Sequence, residues 1–247
     1  MKLSGNTILI TGGAAGIGLA FAERFLKAGN EVIVCGRREE KLEEAKKTFP
    51  QLKTKVCDVG VEAERVALYE WVIKEFPHLN VIVNNAGIQQ RIELLNQEQD
   101  WSYYQKEIAI NFEAPIHLNM LFLPHLAKQE YAAIINVSSG LAFTPMSIAP
   151  IYCATKAGIH SFTTSLRHQV ESTNIEVIEV APPAVNTDLG GPGLHTFGEP
   201  LDAFADGIFE GLKNNEIEIG YGRSAKAMRM SRDEIDQEVE RMNSRFK

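Results

Sequence analysis

Thr7-Ile8-Leu9-Ile10-Thr11-Gly12-Gly13-Ala14-Ala15-Gly16-Ile17-Gly18 is a β-branched apolar run that empties into a glycine-rich turn. An amphipathic stretch follows to about Ala28 and stops at Gly29-Asn30. Strand, turn and helix in that order make an anion site. Glycines let the backbone turn tightly and come close to a pyrophosphate, whose charge meets the N–H groups and positive dipole end of the helix. The spacing is G-x-x-x-G-x-G rather than G-x-G-x-x-G, and a tight turn without any ligand looks the same locally. The surrounding chain has to decide.

Outward from this turn, short strand-like runs alternate with longer amphipathic stretches. The runs are Thr7–Thr11, Glu31–Cys35, Lys53–Cys57, Val81–Val83, Ala133–Val137, Glu176–Val180 and Glu216–Ile219. Such alternation predicts an α/β fold: a doubly wound parallel sheet of about seven strands, a Rossmann fold, with helices on both faces. Several runs are continuously apolar, as suits strands buried on both sides. Residues 1–222 read as a single nucleotide-binding domain. Within it the Gly- and Pro-rich stretch from about 186 to 205 reads as a lid loop over a site. Residues 223–247 read as a helical tail, with Ile235, Val239, Met242 and Phe246 on one face. That face is expected to pack on its own subunit or on a second copy. A peripheral contact with a membrane or protein, aided by Arg223, Lys226, Arg229 and Arg232, is the alternative.

Composition sets outer limits. The 247 residues are 45% apolar and 23% charged, which excludes disorder as a reading of the whole chain. With 25 basic against 32 acidic residues the net charge is -7, and no Lys/Arg run offers a nucleic acid a local footing. Cys35, Cys57 and Cys153 are odd in number and lack zinc-type spacing, so no metal site is expected and a reducing setting fits best. No apolar run approaches the roughly 18 residues of a membrane span, and the first strand begins too early for a leader to precede it. A cytoplasmic location is the expectation.

After the second strand comes Cys35-Gly36-Arg37-Arg38. An acid at this place would bind the ribose hydroxyls of NAD, whereas a guanidinium meets a 2′-phosphate with a bidentate fork. Arg37 and Arg38 therefore favour NADP(H), with NAD(H) possible; as plain solvated charges they would say nothing. Asp58-Val59 closes the third strand and Asn84-Asn85-Ala86-Gly87 the fourth. Polar groups thus gather at the carboxyl ends of strands, where open α/β sheets bind ligands.

With these pieces in order the chain resembles the short-chain dehydrogenase/reductase family, in its compact single-domain branch. The likeness rests on Thr11 to Gly18, Asp58, Asn84 to Gly87, Asn111, Ser138-Ser139 and Tyr152-Cys153-Ala154-Thr155-Lys156, and it spans nearly the whole chain. More narrowly, the chain is similar to the DltE-type bacterial members of that branch. The resemblance implies an oxidoreductase that moves a hydride between a nicotinamide and a carbonyl or alcohol. It assigns cofactor contacts to Gly12, Ala14, Ala15, Gly16, Ile17, Gly18, Arg37, Arg38, Asp58, Val59, Asn85, Ala86, Gly87, Tyr152, Lys156, Pro182, Val185 and Thr187.

The same likeness assigns catalysis to Asn111, Ser139, Tyr152 and Lys156. Tyr152 and Lys156 lie one helical turn apart, so both side chains leave one face. Free tyrosine titrates near 10, too high for a base at neutral pH, and a nearby ammonium favours the phenolate. Tyr152 would give a proton to the developing alkoxide in reduction and take it back in oxidation. Ser139 would hydrogen-bond the substrate oxygen, with Ser138 the weaker candidate, and Asn111 would hold a water linking Lys156 to solvent. Cys153, beside Tyr152, reads as a buried spacer, and His160 and His168 as helix-face residues.

One departure stands out. Where the family usually has Pro-Gly-x-Val-x-Thr, this chain has Pro182-Pro183-Ala184-Val185-Asn186-Thr187, and proline fixes φ where glycine would be free. Val185 is expected at the nicotinamide carboxamide and Thr187 at its amide or the phosphates. Substrate contacts are expected from Gln89, Gln90, Arg91, Trp101, Tyr103 and Tyr104 on one side and Leu189, Leu194, His195 and Phe197 on the other. The helices around 100–128 and 150–173 imply a homodimer or homotetramer. Rival readings are a catalytically silent nucleotide-binding sensor or scaffold of the same fold, and an extended-branch epimerase. The glycine spacing and the lack of a separate C-terminal substrate domain count against the second.

Overall fold

The structure, a computed structural model, describes residues 1–246. Seven parallel strands form one sheet: β1 (Thr7–Thr11), β2 (Glu31–Gly36), β3 (Lys53–Val56), β4 (Val81–Asn84), β5 (Ala132–Val137), β6 (Ile175–Ala181) and β7 (Glu218–Gly220). Their order is β3-β2-β1-β4-β5-β6-β7, with every pair parallel. This is the doubly wound Rossmann arrangement expected from the alternation of runs. The order reverses between β1 and β4, which opens a crevice at their carboxyl ends.

Among the described residues nine α-helices cover the sheet: α1 (Gly16–Lys27), α2 (Glu39–Thr48), α3 (Glu62–Glu75), α4 (Trp101–Ile108), α5 (Ala114–Leu126), α6 (Pro150–Gln169), α7 (Leu201–Lys213), α8 (Arg223–Ala227) and α9 (Arg232–Asn243). Side chains alternate across each strand, so consecutive residues feed different cores. Ile8 and Ile10 join Val32 and Val34 against Phe21 and Phe25 of α1 and Phe204 and Ile208 of α7. Leu9 and Ile33 turn the other way, onto Leu68 and Val72 of α3 and Leu118 and Phe122 of α5. Fully buried strands explain why the runs lack a polar alternate. The edge strand β3 differs, carrying Lys53 and Lys55 on a half-exposed backbone.

Two boundaries differ from the sequence reading. The irregular stretch after β6 ends at Pro200, not near 205, because α7 begins at Leu201 and buries Phe204, Ala205, Ile208 and Leu212. The tail is two helices rather than one. Ser231 starts α9 with a reciprocal capping box: its hydroxyl accepts the Glu234 N–H, and the Glu234 carboxylate accepts the Ser231 N–H. No residue of α9 is buried, so Ile235, Val239 and Met242 are not core. Lys247, the last residue of the expected tail, lies outside the described residues. No described helix is long and apolar enough to cross a membrane, and no described cluster of His, Cys, Asp or Glu could hold a metal.

Candidate active site

The glycine turn is braced by β4. Thr11 Oγ1 accepts the N–H groups of Asn85 and Ala86 at 3.0 and 3.1 Å, while Asn85 Nδ2 donates to Thr11 O at 3.0 Å and Gly12 O at 3.3 Å. The Asn85 side chain is thus committed to the turn. Gly12 has φ +64°, and a Cβ there would stand 2.9 Å from Ala86 Cα. A Cβ on Gly18 would meet Gly12 O at 2.4 Å. Glycine is required at both positions, by backbone conformation at the first and by close packing at the second. Beyond the turn, α1 opens at Ala15 with no side-chain cap and no acid in its first turn, leaving its first N–H groups without a side-chain acceptor at the cap.

Around this turn lie the other expected cofactor residues. Arg37 and Arg38 are exposed past β2, with Arg38 at the start of α2. Asp58 Oδ1 accepts the Gly60 N–H at 2.9 Å, and Val59 is buried, its carbonyl held by Arg65 Nη1 at 2.6 Å. On the far side Pro182 O accepts the Gly140 N–H at 2.9 Å, tying the end of β6 to the segment after β5. Pro183 does not disrupt the backbone beyond it. Asn186 N–H donates to Glu199 O at 2.9 Å and Glu199 N–H to Ala184 O at 2.8 Å, a parallel bridge centred on Val185. In such a bridge the N–H and C=O of Val185 itself point away from Glu199. Thr187 lies over the opening of α1, its Cγ2 3.5 Å from where a Gly16 Cβ would be.

The second cluster sits at the ends of β5 and α6. Ser138 and Ser139 point to opposite sides. Ser138 Oγ donates to the fully buried Glu179 at 2.5 Å, and Glu179 also holds His160 Nδ1 at 2.8 Å. That bond raises the His160 pKa above its ordinary value. Ser139, whose Oγ accepts the Leu141 N–H at 3.1 Å, faces Tyr152 instead.

Tyr152 and Lys156 are both buried in α6, with Lys156 Nζ 5.7 Å from the Tyr152 ring centre. Burial pushes the phenol well above its usual range, opposed by the nearby Ser139 hydroxyl. This differs from the lowered value expected from a neighbouring ammonium. Lys156 Nζ is turned onto Val137 O at 2.8 Å, and burial pulls it down to about 8. Burial thus favours the protonated phenol.

Asn111 lies in a π-helical turn, Ala109–Glu113, between α4 and α5. Such turns insert one extra residue and re-aim side chains at functional sites. Its Oδ1 accepts the Ile88 N–H at 2.9 Å and its Nδ2 donates to Ile88 O at 2.8 Å, so the amide grips the loop after β4. Among the expected substrate contacts the structure divides. Gln90 and Tyr104 are buried, with Gln90 Nε2 donating to Tyr103 O at 2.9 Å. Arg91, Trp101, Tyr103 and Phe197 are exposed. In the irregular segment after β6 His195 is buried, and Gly190 lies close over Gln89 O.

Three features escaped sequence reasoning. Glu107, wholly buried one turn before Asn111, accepts the Gln90 N–H at 2.9 Å. Its place four residues before Asn111 on one helix was the available signal. Glu179 interrupts the apolar β6 run, and a charge inside a buried strand marks a paired group. Thr11 joins the two strand ends through its hydroxyl.

Similarity to known proteins agrees with this geometry. A family model described as short chain dehydrogenase matches residues 6–194. The chain is 48% identical over 249 residues to the uncharacterized oxidoreductase DltE of Bacillus subtilis (strain 168), covering 99% of each chain. A short chain dehydrogenase/reductase from Burkholderia phymatum, solved in complex with NAD, superimposes with a TM-score of 0.84 at 20% identity, covering 96% of both chains. A short-chain dehydrogenase from Sphingobium yanoikuyae, in complex with NADPH, gives 0.80 at 24% identity over 87% of each.

Proposed function

The chain belongs to the short-chain dehydrogenase/reductase family, among its DltE-type members, and we propose that it is a nicotinamide-dependent oxidoreductase interconverting a small-molecule carbonyl and its alcohol. The observation that carries the reading is the buried Tyr152 phenol, set between Ser139 and Lys156 beside the crevice that the glycine turn opens. A bound nicotinamide supplies or accepts the hydride. The uncapped start of α1 fits its pyrophosphate, and the Val185 N–H, turned away from Glu199, fits its carboxamide.

The chain's own residues handle the proton. Ser139 Oγ holds the substrate oxygen and stabilises charge as it develops. Tyr152, kept protonated by burial, gives its proton to that oxygen as carbon is reduced. For oxidation the phenol must ionise, which requires Lys156 to leave Val137 O and bring its charge to bear on Tyr152. Asn111 fixes the loop against which Lys156 lies and serves the return of protons from solvent.

Arg37 and Arg38 support NADP(H) as the preferred cofactor, because both guanidiniums are exposed at the end of β2. Replacing them together (Arg37→Ser with Arg38→Asp) should weaken NADPH binding at least tenfold and leave NADH nearly unaffected, by fluorescence titration. Tighter binding of NADH by the unaltered chain would reverse the preference. Buried unpaired thiols at Cys35, Cys57 and Cys153 support a cytoplasmic setting. An apolar groove beside α4 and α6 supports assembly of two or four copies.

Turnover decides the main reading. Oxidation of NADPH and NADH over a panel of aldehydes, ketones and ketoses should identify a substrate, and Tyr152→Phe should lower kcat on it about 100-fold or more. Cofactor binding with no turnover across the panel would make the chain a nucleotide-binding protein instead.

A further inference from the structure

Glu107 has no place in the proton path described above, yet it is fully buried. Its Oε1 accepts the Gln90 N–H at 2.9 Å, and its Oε2, equally buried, has no hydrogen-bond partner. Lys156 presents the complementary deficit. Its ammonium is buried, donates to one carbonyl, Val137 O at 2.8 Å, and stands in no ion pair among the described residues. An isolated buried charge of either sign is unfavourable, and opposite charges in a poorly polarisable interior act on one another beyond contact distance.

The two lie along one loop, Glu107 at Gln90 and Lys156 beside Gly87. Glu107 and Asn111, a turn apart, grip Gln90 and Ile88 respectively. At the head of that loop a Cβ on Gly87 would lie 3.4 Å from Asn111 Oδ1 and 3.7 Å from Lys156 Nζ. The titratable groups of α6 on which the Glu107 charge acts are Lys156, Tyr152 and Cys153. The segment after β4 brings it the uncharged Gln90.

We propose that Glu107 is the buried counter-charge of Lys156: a positioning residue that holds the ammonium in its protonated form and so sets the pH range in which Tyr152 can work. The inference rests on the reading of Tyr152 and Lys156 as an acid–base pair. It agrees with the direction of both titrations. Burial raises Glu107 to about 7 while Lys156 opposes the rise, and burial lowers Lys156 to about 8 while Glu107 opposes the fall. Charge coupling of this kind is reciprocal.

The test follows the titrating groups themselves, in the full chain. With 13C-labelled lysine, the Lys156 Cε resonance, identified by its loss in Lys156→Met, should titrate at a pH lower by about one unit in Glu107→Gln. Glu107→Asp should restore most of the difference. Reciprocally, the Glu107 carboxyl resonance in Lys156→Met should titrate at higher pH than in the unaltered chain, a measurement that stands if Glu107→Gln does not fold. In the oxidation of any alcohol that the chain turns over, where the phenol must ionise, the alkaline limb of kcat should move to lower pH in Glu107→Gln and return in Glu107→Asp. An unmoved Lys156 midpoint in Glu107→Gln, or an unmoved Glu107 midpoint in Lys156→Met, overturns the proposal. A coupled titration in a chain with no turnover would instead overturn the oxidoreductase reading and leave the coupling intact.

Discussion

Gly18 shows how little room the cofactor turn allows. A methyl group there would lie 2.4 Å from Gly12 O and 2.5 Å from Asn85 Nδ2, so both the turn and its brace from β4 would have to move. Gly18→Ala should therefore cost about 1–3 kcal/mol of stability, as overpacking does. It should also weaken NADPH binding at least tenfold, since the displaced backbone is the part that approaches the pyrophosphate. Thermal unfolding and fluorescence titration read the two effects; unchanged affinity would mean that the turn does not cradle the ligand. The glycines were legible in the sequence because backbone requirements leave a residue-type signature. The roles of Ser138 and Ser139 were legible only as a preference. What separates them is the partner each meets across the fold, Glu179 in one case and Tyr152 in the other. For Glu107 the spacing to Asn111 was legible but its burial was not. A glutamate near the end of a helix is usually solvated, and its burial arises from packing of α4 against α6 that no local pattern records.

At the scale of elements, the loop between β5 and α6 is held from two sides. Cys153 Sγ accepts the Met146 N–H at 3.3 Å from within α6. From the tail, Asn243 Oδ1 accepts the Ser147 N–H at 2.6 Å while its Nδ2 donates to Pro145 O at 3.1 Å. One amide at the end of α9 thus clasps two backbone groups of the segment leading to Tyr152. Because the contact is exposed, Asn243→Ala should change stability by no more than about 1 kcal/mol. The Ser147 amide, however, loses its acceptor and should exchange with deuterium at least tenfold faster. Unchanged protection at Ser147 would show that the clasp does not order the loop in solution. The clasp by Asn243 could not be read from the tail's amphipathic spacing, which marks only the face of Ile235, Val239 and Met242, half-buried on α9. The tail's division was readable: Ser231-Arg232-Asp233-Glu234 carries the S-x-x-E pattern of a helix start.

At the scale of the molecule, the alternation of strand-like and helical runs was enough to specify the sheet, because a buried parallel strand must be apolar and a crossover must return over the face it covers. Association between copies leaves no such periodic mark and has to be argued from the surface. An apolar groove runs beside α4 and α6, lined by Leu94, Ile108, Phe112, Pro150, Ile151 and Ala154. Leu95 is 94% exposed beside it, and Trp101 of α4 is 61% exposed. Contiguous apolar surface of this kind is unfavourable in water unless covered. A stable dimer needs about 800 Å² of buried surface from each partner. Ala154 is the informative position. It is exposed on α6 in the middle of the groove, while Tyr152 and Lys156 of the same helix point inward. Ala154→Arg would place a charge in the seam without touching the core. Sedimentation should give a dimer or tetramer for the unaltered chain and a monomer for Ala154→Arg, with thermal stability falling because the groove becomes exposed. An oligomer that survives the substitution would move the interface to another face of the molecule, and a monomeric unaltered chain would remove it altogether.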